Sequence, residues 1–211
     1  MVLHQGRLYL YQLLKLLYEQ PLEPQSLQAL HEQPGFKEFS QISSGARSIL
    51  DYLETNKHVP FEVVLQELRS EYQRLFLGPG PILVPIWESV YFDPEGLLFG
   101  ERTLEVREFY RKYHLESVHK NSQPEDHLAV ELEFMIYLIN QYLTNENQTQ
   151  RNELLLDQKA FFQKHLGTWK DEFFQLSEKH CQNQFYRGSG LLLKEFLDLE
   201  NEMFEKLEEA F

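Results

Sequence analysis

The sequence predicts an all-α fold, a single compact domain of about eight to ten helices over residues 1–211. Apolar residues recur at i, i+3, i+4 and i+7 along most of the chain. No stretch keeps the apolar/polar alternation of a half-buried strand. Proline and glycine interrupt the helical pattern at intervals that suit short connections, with one long exception at 78–100.

Leu10, Leu13, Leu14 and Leu17 share one stripe, so a first helix is expected from Leu3 to Glu19, ended by Pro21 and Pro24. A short helix follows over Gln25 to Glu32, stopped by Pro34-Gly35. Ile42, Ala46, Ile49, Leu50 and Leu53 mark a third, closed near Asn56. Pro60 stands where a helix can start, and Val63, Val64, Leu68, Tyr72, Leu75 and Phe76 continue it. The pattern then fails until Gly100. A connection that long is usually functional or disordered. This one carries Ile86, Trp87, Val90, Tyr91, Phe92, Leu97, Leu98 and Phe99, which a disordered linker would lack, so it reads as an ordered, packed loop.

Helices resume at Thr103, read as an N-cap, and run to Tyr113 or His114. Asn121-Ser122-Gln123-Pro124 leads into the next, with Pro124 in its first turn, ending near Leu143. Leu128, Leu132, Met135, Ile136, Ile139 and Leu143 form one broad face, and Phe134 and Leu138 extend burial to a second, which marks a central helix. Helices over Gln150–Leu166, Gly167–Cys181 and Phe185–Glu209 complete the chain. The acidic run Asp198, Glu200, Glu202, Glu205, Glu208 and Glu209 reads as a solvated face, with Leu197, Phe204 and Leu207 packed opposite.

Composition narrows the function. A net charge of −13 disfavours nucleic acid, which needs clustered Lys and Arg, and suits a basic partner. Sixteen Phe and eleven Tyr argue for a folded core. The lone Cys181 excludes an internal disulfide and cysteine-rich metal sites, and reads as an ordinary thiol in a reducing compartment. Met1 to Tyr18 lacks the pattern of a cleavable signal, no segment reaches the length of a bilayer span, and the protein is expected in the cytoplasm.

Two segments carry the candidate chemistry. Gly78-Pro79-Gly80-Pro81 opens the long loop and lacks the spacing and lysine of a phosphate loop, so no cofactor is expected. Its prolines and glycines stiffen and bend it, and Trp87 and Tyr91 are anchors of the kind found at binding hot spots. Tyr72, Leu75 and Phe76 form an i, i+3, i+4 patch leading in, suited to the core or to the apolar part of a peptide. The second segment holds Asp126 and His127 at a helix start, with Glu131 one turn on. These three fit a cap with an ion pair, a binding site, or a small helical metal-dependent enzyme. HExxH is absent, and two ligands are too few for zinc, so no metal or catalytic residue is assigned.

Four pieces in order resemble the TorD/DmsD family of redox-enzyme maturation chaperones. They are Glu71 to Gly80, Trp87-Glu88-Ser89-Val90-Tyr91, Pro124 to Met135, and His165-Leu166-Gly167-Thr168-Trp169 with Phe173 and Phe185-Tyr186. Most of the chain is covered, and the dimethyl-sulfoxide-reductase type is the nearer match. The pattern departs at Gln123, where the family usually has Glu, and at Ile86, where it has a second proline.

The resemblance implies a chaperone and not an enzyme. It implies binding of the twin-arginine signal peptide on the precursor of a molybdenum-cofactor oxidoreductase, with export held back until cofactor insertion. It implies a peptide site of Tyr72, Leu75, Phe76, Trp87, Gly100, Pro124, Asp126 and His127, to which the charge argument adds Glu88. The export translocase and cofactor-biosynthesis proteins follow as further partners. The hinge-like loop predicts a monomer that also forms domain-swapped dimers.

Overall fold

The computed structural model describes residues 2–32, 34–117 and 123–208. Asn121 and Ser122, read as the lead-in to a helix, and Glu209, of the acidic run, lie outside the described residues. Among the described residues there are eleven α-helices and no strand. In chain order they are α1 (Val2–Tyr18), α2 (Pro24–Glu32), α3 (Pro34–Phe39), α4 (Ser44–Thr55), α5 (Phe61–Tyr72), α6 (Ser89–Phe92), α7 (Glu101–Lys112), α8 (Leu128–Thr144), α9 (Gln148–Lys164), α10 (Lys170–His180) and α11 (Gln184–Glu208). A π-helical turn, Gln73–Leu77, prolongs α5. Nine of the helices have at least seven residues, within the expected number, and the two short ones were not foreseen. None is long and apolar enough to cross a membrane.

The elements differ from expectation where a local rule was outcompeted. α2 ends at Glu32 as expected, but Pro34 also opens α3, because proline has no N–H to lose at a first helical position. Ile42 is 84% exposed and outside α4, whose cap is Ser43, with its hydroxyl accepting from the Ala46 N–H. Thr103 is not the cap of α7. Gly100 takes that place, and Thr103 is buried in the first turn with its hydroxyl committed elsewhere. Pro124 precedes α8 by a full turn; His127 is the N-cap and residues 124–127 form a turn. The 78–100 connection is anchored by the buried Val84, Ile86, Glu88 and Ser89, but Phe92, Leu97, Leu98 and Phe99 are exposed. Glu200 is buried, unlike the solvated face expected of its run.

The described chain clusters into two compact units. The first holds residues up to Glu19, Ile86–Trp169 and the chain from Glu200. Here α1 and α9 both pack on α8, whose Leu128, Leu132, Met135, Leu138 and Ile139 are buried, with Phe134 on the second face as predicted. Each such side chain contributes roughly 1.5–3 kcal/mol through burial. Phe134, Phe161 and Tyr110 form an aromatic cluster edged by Phe109 and His165. Arg7, on α1, makes a two-pronged bond to Glu200 at 2.6 and 2.7 Å, and the Tyr11 hydroxyl donates to the same carboxylate at 2.7 Å.

The second unit holds Gln20–Pro85 and Lys170–Leu199. Gly45 of α4 and Gly188 of α11 let two backbones meet, since a Cβ on Gly45 would lie 2.2 Å from the Leu192 nitrogen. Glu195 of α11 accepts from Ser43 Oγ and the Ser44 N–H at the start of α4, where the unpaired N–H groups favour an anion. Glu71 accepts a forked bond from Arg74 and the Gln182 N–H, and Arg74 also donates to the His180 carbonyl. Beside them Cys181 is buried, and burial followed by the Glu71 charge pushes its thiol up to about 12.

Candidate functional site

The expected peptide-site residues divide between the two units. Tyr72, Leu75 and Phe76 belong to the second and are 1%, 0% and 1% exposed. Tyr72 and Phe76 pack edge-on with each other and against Tyr186. The Leu75 carbonyl lies in the last helical turn, and Pro79, four residues on, has no N–H to give it, so it accepts from Leu83 and Val84 at 3.2 and 3.0 Å. These bonds seat the beginning of the long loop.

Trp87, Glu88, Gly100, Pro124, Asp126 and His127 belong to the first unit, which holds them around one junction. Residues 86–88 run antiparallel to 126–128: Glu88 N–H donates to the Asp126 carbonyl at 3.0 Å, and Leu128 N–H to the Ile86 carbonyl at 2.8 Å. The only isolated bridge among the described residues joins Trp87 and His127, and their rings meet edge-to-face at 5.3 Å. This pairing holds His127 extended and delays α8 until Leu128.

Asp126 is fully buried and tied down. Its carboxylate accepts from the Ser89 N–H at the start of α6 and from the Thr103 hydroxyl of α7, both at 2.7 Å. Glu125 accepts a forked bond from Arg107 at 3.0 and 2.7 Å, and its carbonyl accepts from the Tyr110 hydroxyl. Pro124, buried, leads into this turn. Asp126 therefore joins α6, α7 and α8, and no face of it is open to a partner.

His127 caps α8 by accepting the Ala129 N–H on Nδ1 at 3.1 Å, which requires an unprotonated nitrogen. Burial lowers its pKa to about 4, partly offset by Asp126. Its folded pKa lies below the unfolded 6.5. The stability it lends is therefore full above pH 6.5 and is lost as pH falls towards 4, up to about 3 kcal/mol.

Glu131 works in the opposite sense. It is fully buried, with the Trp169 and Glu88 side chains as its hydrogen-bonding neighbours. Burial first, then the charges of Glu88 and Asp126, push its pKa well above 4.5. The protonated form is the one the fold favours. That contribution is full below the unfolded value near 4.5 and is lost as pH rises towards the folded one. Glu131→Gln, which keeps the neutral shape, should raise the Tm at pH 8 by several degrees, corresponding to about 1–2 kcal/mol, and change it little at pH 4. Equal shifts at both pH values would contradict this assignment.

Glu88, also fully buried, lies with Oε2 2.9 Å from Nδ1 of the buried His165, and with Oε1 3.5 Å from Arg102. Arg102, its side chain 25% exposed, lines a cleft of about 420 Å³ with Ser89, Phe92, Asp93, Gly100, Glu105 and Lys164 among others. The predicted Gly100 thus lies at a real opening. Arg102 and Glu105 were not singled out from the sequence, Phe92 was named only as an apolar anchor of the loop, and the i, i+3 spacing of Arg102 and Glu105 on α7 was the one available signal.

The metal-dependent alternative built on His127, Glu131 and Asp126 has no ligand set here. Nδ1 of His127 is occupied by a backbone N–H, and among the described residues no group of three His, Cys, Asp or Glu could hold a metal ion.

Comparison with known proteins adds the following. A family profile described as the nitrate reductase delta subunit matches residues 40–175. A Haemophilus influenzae protein assigned as the Tat proofreading chaperone DmsD is 33% identical over 127 residues, 60% of this chain and 57% of that one. The matched part thus spans less than two thirds of that relative's length. The chaperone protein TorD of Vibrio vulnificus is 26% identical over 168 residues, 80% of this chain and 77% of the relative. Among solved structures, a proposed redox enzyme maturation protein from Archaeoglobus fulgidus superposes with a TM-score of 0.52 at 23% identity. The superposition covers 91% of this chain and 93% of that one, and supports the all-α fold.

Proposed function

The chain belongs to the nitrate reductase delta subunit family, and on that premise we propose that it is a Tat proofreading chaperone. It binds the twin-arginine leader of a redox-enzyme precursor and holds back export until the cofactor is inserted. The client in this reading is a molybdenum enzyme of the dimethyl-sulfoxide-reductase type. The relatives named above are chaperones, and this chain acts by binding, not by catalysis.

The observation that carries the reading is the cleft between α6 and α7. Asp93, Glu101 and Glu105 line it, and the exposed Leu97, Leu98 and Phe99 lie in the segment between its two lining stretches. A twin-arginine leader pairs two guanidiniums with an apolar run, and this surface offers carboxylates beside apolar side chains. The charge of −13 favours encounter with so basic a segment. Asp126, His127 and Trp87 serve this surface as positioning residues, since the junction they form holds the 86–100 segment against α7 and α8.

Calorimetric titration with a synthetic twin-arginine leader should show micromolar or tighter binding. The same peptide with both arginines changed to lysine should bind at least about tenfold more weakly, because lysine lacks the guanidinium fork. Equal affinity for both peptides, or for neither, would contradict the reading.

A further inference from the structure

We infer that the cleft contains a guanidinium-binding subsite and that Arg102 occupies it until an arginine of the bound peptide takes its place. The inference rests on the leader-binding reading above and names the group that the cleft receives.

Arg102 lies as a bound arginine side chain would. Its guanidinium carbon stands 3.9 Å over the centre of the Phe92 ring. Nη1 donates to the Lys164 carbonyl at 3.0 Å. The same nitrogen lies 3.5 Å from Glu88 Oε1 and 3.5 Å from Glu105 Oε2. An aromatic face, two carboxylates and a carbonyl around one planar cation form a receptor for guanidinium.

The fit of Arg102 itself is incomplete. Arg102 reaches the fully buried Glu88 only at ion-pair distance and makes no hydrogen bond to its Oε1. A charge-assisted hydrogen bond is stronger than a contact at 3.5 Å, and a guanidinium arriving on a peptide, free of the geometry of α7, can approach Glu88 more closely. Glu105 does not depend on Arg102, since Lys164 also contacts it at 3.2 Å. The Arg102 side chain is 25% exposed, so it can swing out without opening the core. An ammonium would offer neither the planar face nor the fork, so the subsite selects arginine over lysine.

If Arg102 is a resident competitor, removing it raises the fraction of molecules ready to bind. Arg102→Ala should bind methylguanidinium in the millimolar range, and wild type at least about tenfold more weakly, read by calorimetry and thermal shift. Butylammonium should bind neither. The twin-arginine leader should bind Arg102→Ala about five- to tenfold tighter than wild type. Adding Phe92→Leu to Arg102→Ala should reverse both gains. Arg102→Gln serves if the alanine variant does not fold. Methylguanidinium binding no better to Arg102→Ala than to wild type, or no better than butylammonium, overturns the proposal. So does a leader that binds wild type but binds Arg102→Ala no more tightly. Methylguanidinium capture by Arg102→Ala, with no leader bound by either protein, supports the subsite and removes the leader-binding reading instead.

Discussion

Glu200→Gln should lower the unfolding free energy by about 3–5 kcal/mol, the largest loss expected from any single polar change here. Arg7 and Glu200 are 3% and 2% exposed, and the fully buried Tyr11 shares the same carboxylate. Removing the negative charge leaves a guanidinium in the interior with no counter-ion, and desolvation then goes uncompensated. Nearby support is weak: Phe204 lies 5.3 Å from the guanidinium carbon, and His4, whose pKa burial and then Arg7 itself lower to about 4, lies 3.0 Å from Nη1. Replacing both partners with apolar residues, Arg7→Met with Glu200→Leu, should recover most of the loss. Urea unfolding of the two variants measures both effects. A single-variant loss under about 1 kcal/mol, or a double variant no better than the single, would show that the pair is not acting as a buried ion pair.

Asp126→Ala should cost about 2–4 kcal/mol and weaken leader binding by more than about tenfold, and Thr103→Val should reproduce part of both effects. The alanine leaves the Ser89 N–H and the Thr103 hydroxyl, both 2% exposed or less, without their acceptor. Valine at 103 keeps the shape and removes one donor. If Asp126 positions the loop, both variants loosen 86–100, which hydrogen exchange will register as faster protons there. If Asp126 instead touches the peptide directly, Thr103→Val leaves leader affinity and exchange at 86–100 unchanged while Asp126→Ala still abolishes binding. That result would remove the positioning role assigned here.

The helices were legible because burial on α1, α8 and α11 follows a 3.6-residue period that local sequence states openly. The boundaries that moved did so for tertiary reasons. Thr103 has the residue type of a cap, but its hydroxyl serves Asp126, which is 23 residues away and invisible to a local rule. His127 was expected inside a helix end and is instead held extended by pairing with 86–88. Glu200 sits among carboxylates of the same type, and its partner Arg7 is 193 residues distant. The chemistry of Asp126 and His127 was readable as a charged helix start, but which groups would saturate Asp126 was not. Arg102 escaped notice because an arginine three residues before a glutamate on an exposed helix is ordinary. Its meaning comes from Phe92, Glu88 and the Lys164 carbonyl, supplied by other segments.

Cys181, the single thiol of the sequence, has a practical consequence. With its pKa pushed up to about 12 and its side chain buried, it should stay protonated at neutral pH and react slowly with maleimides and iodoacetamides, which a thiol titration of the folded chain checks. The native chain therefore behaves as a cysteine-free background for site-directed labelling. A cysteine introduced at Leu98, 39% exposed in the segment that joins the two lining stretches of the cleft, should take a fluorophore selectively without any prior substitution. The proposed binding of a twin-arginine leader can then be tested in real time on the unaltered core.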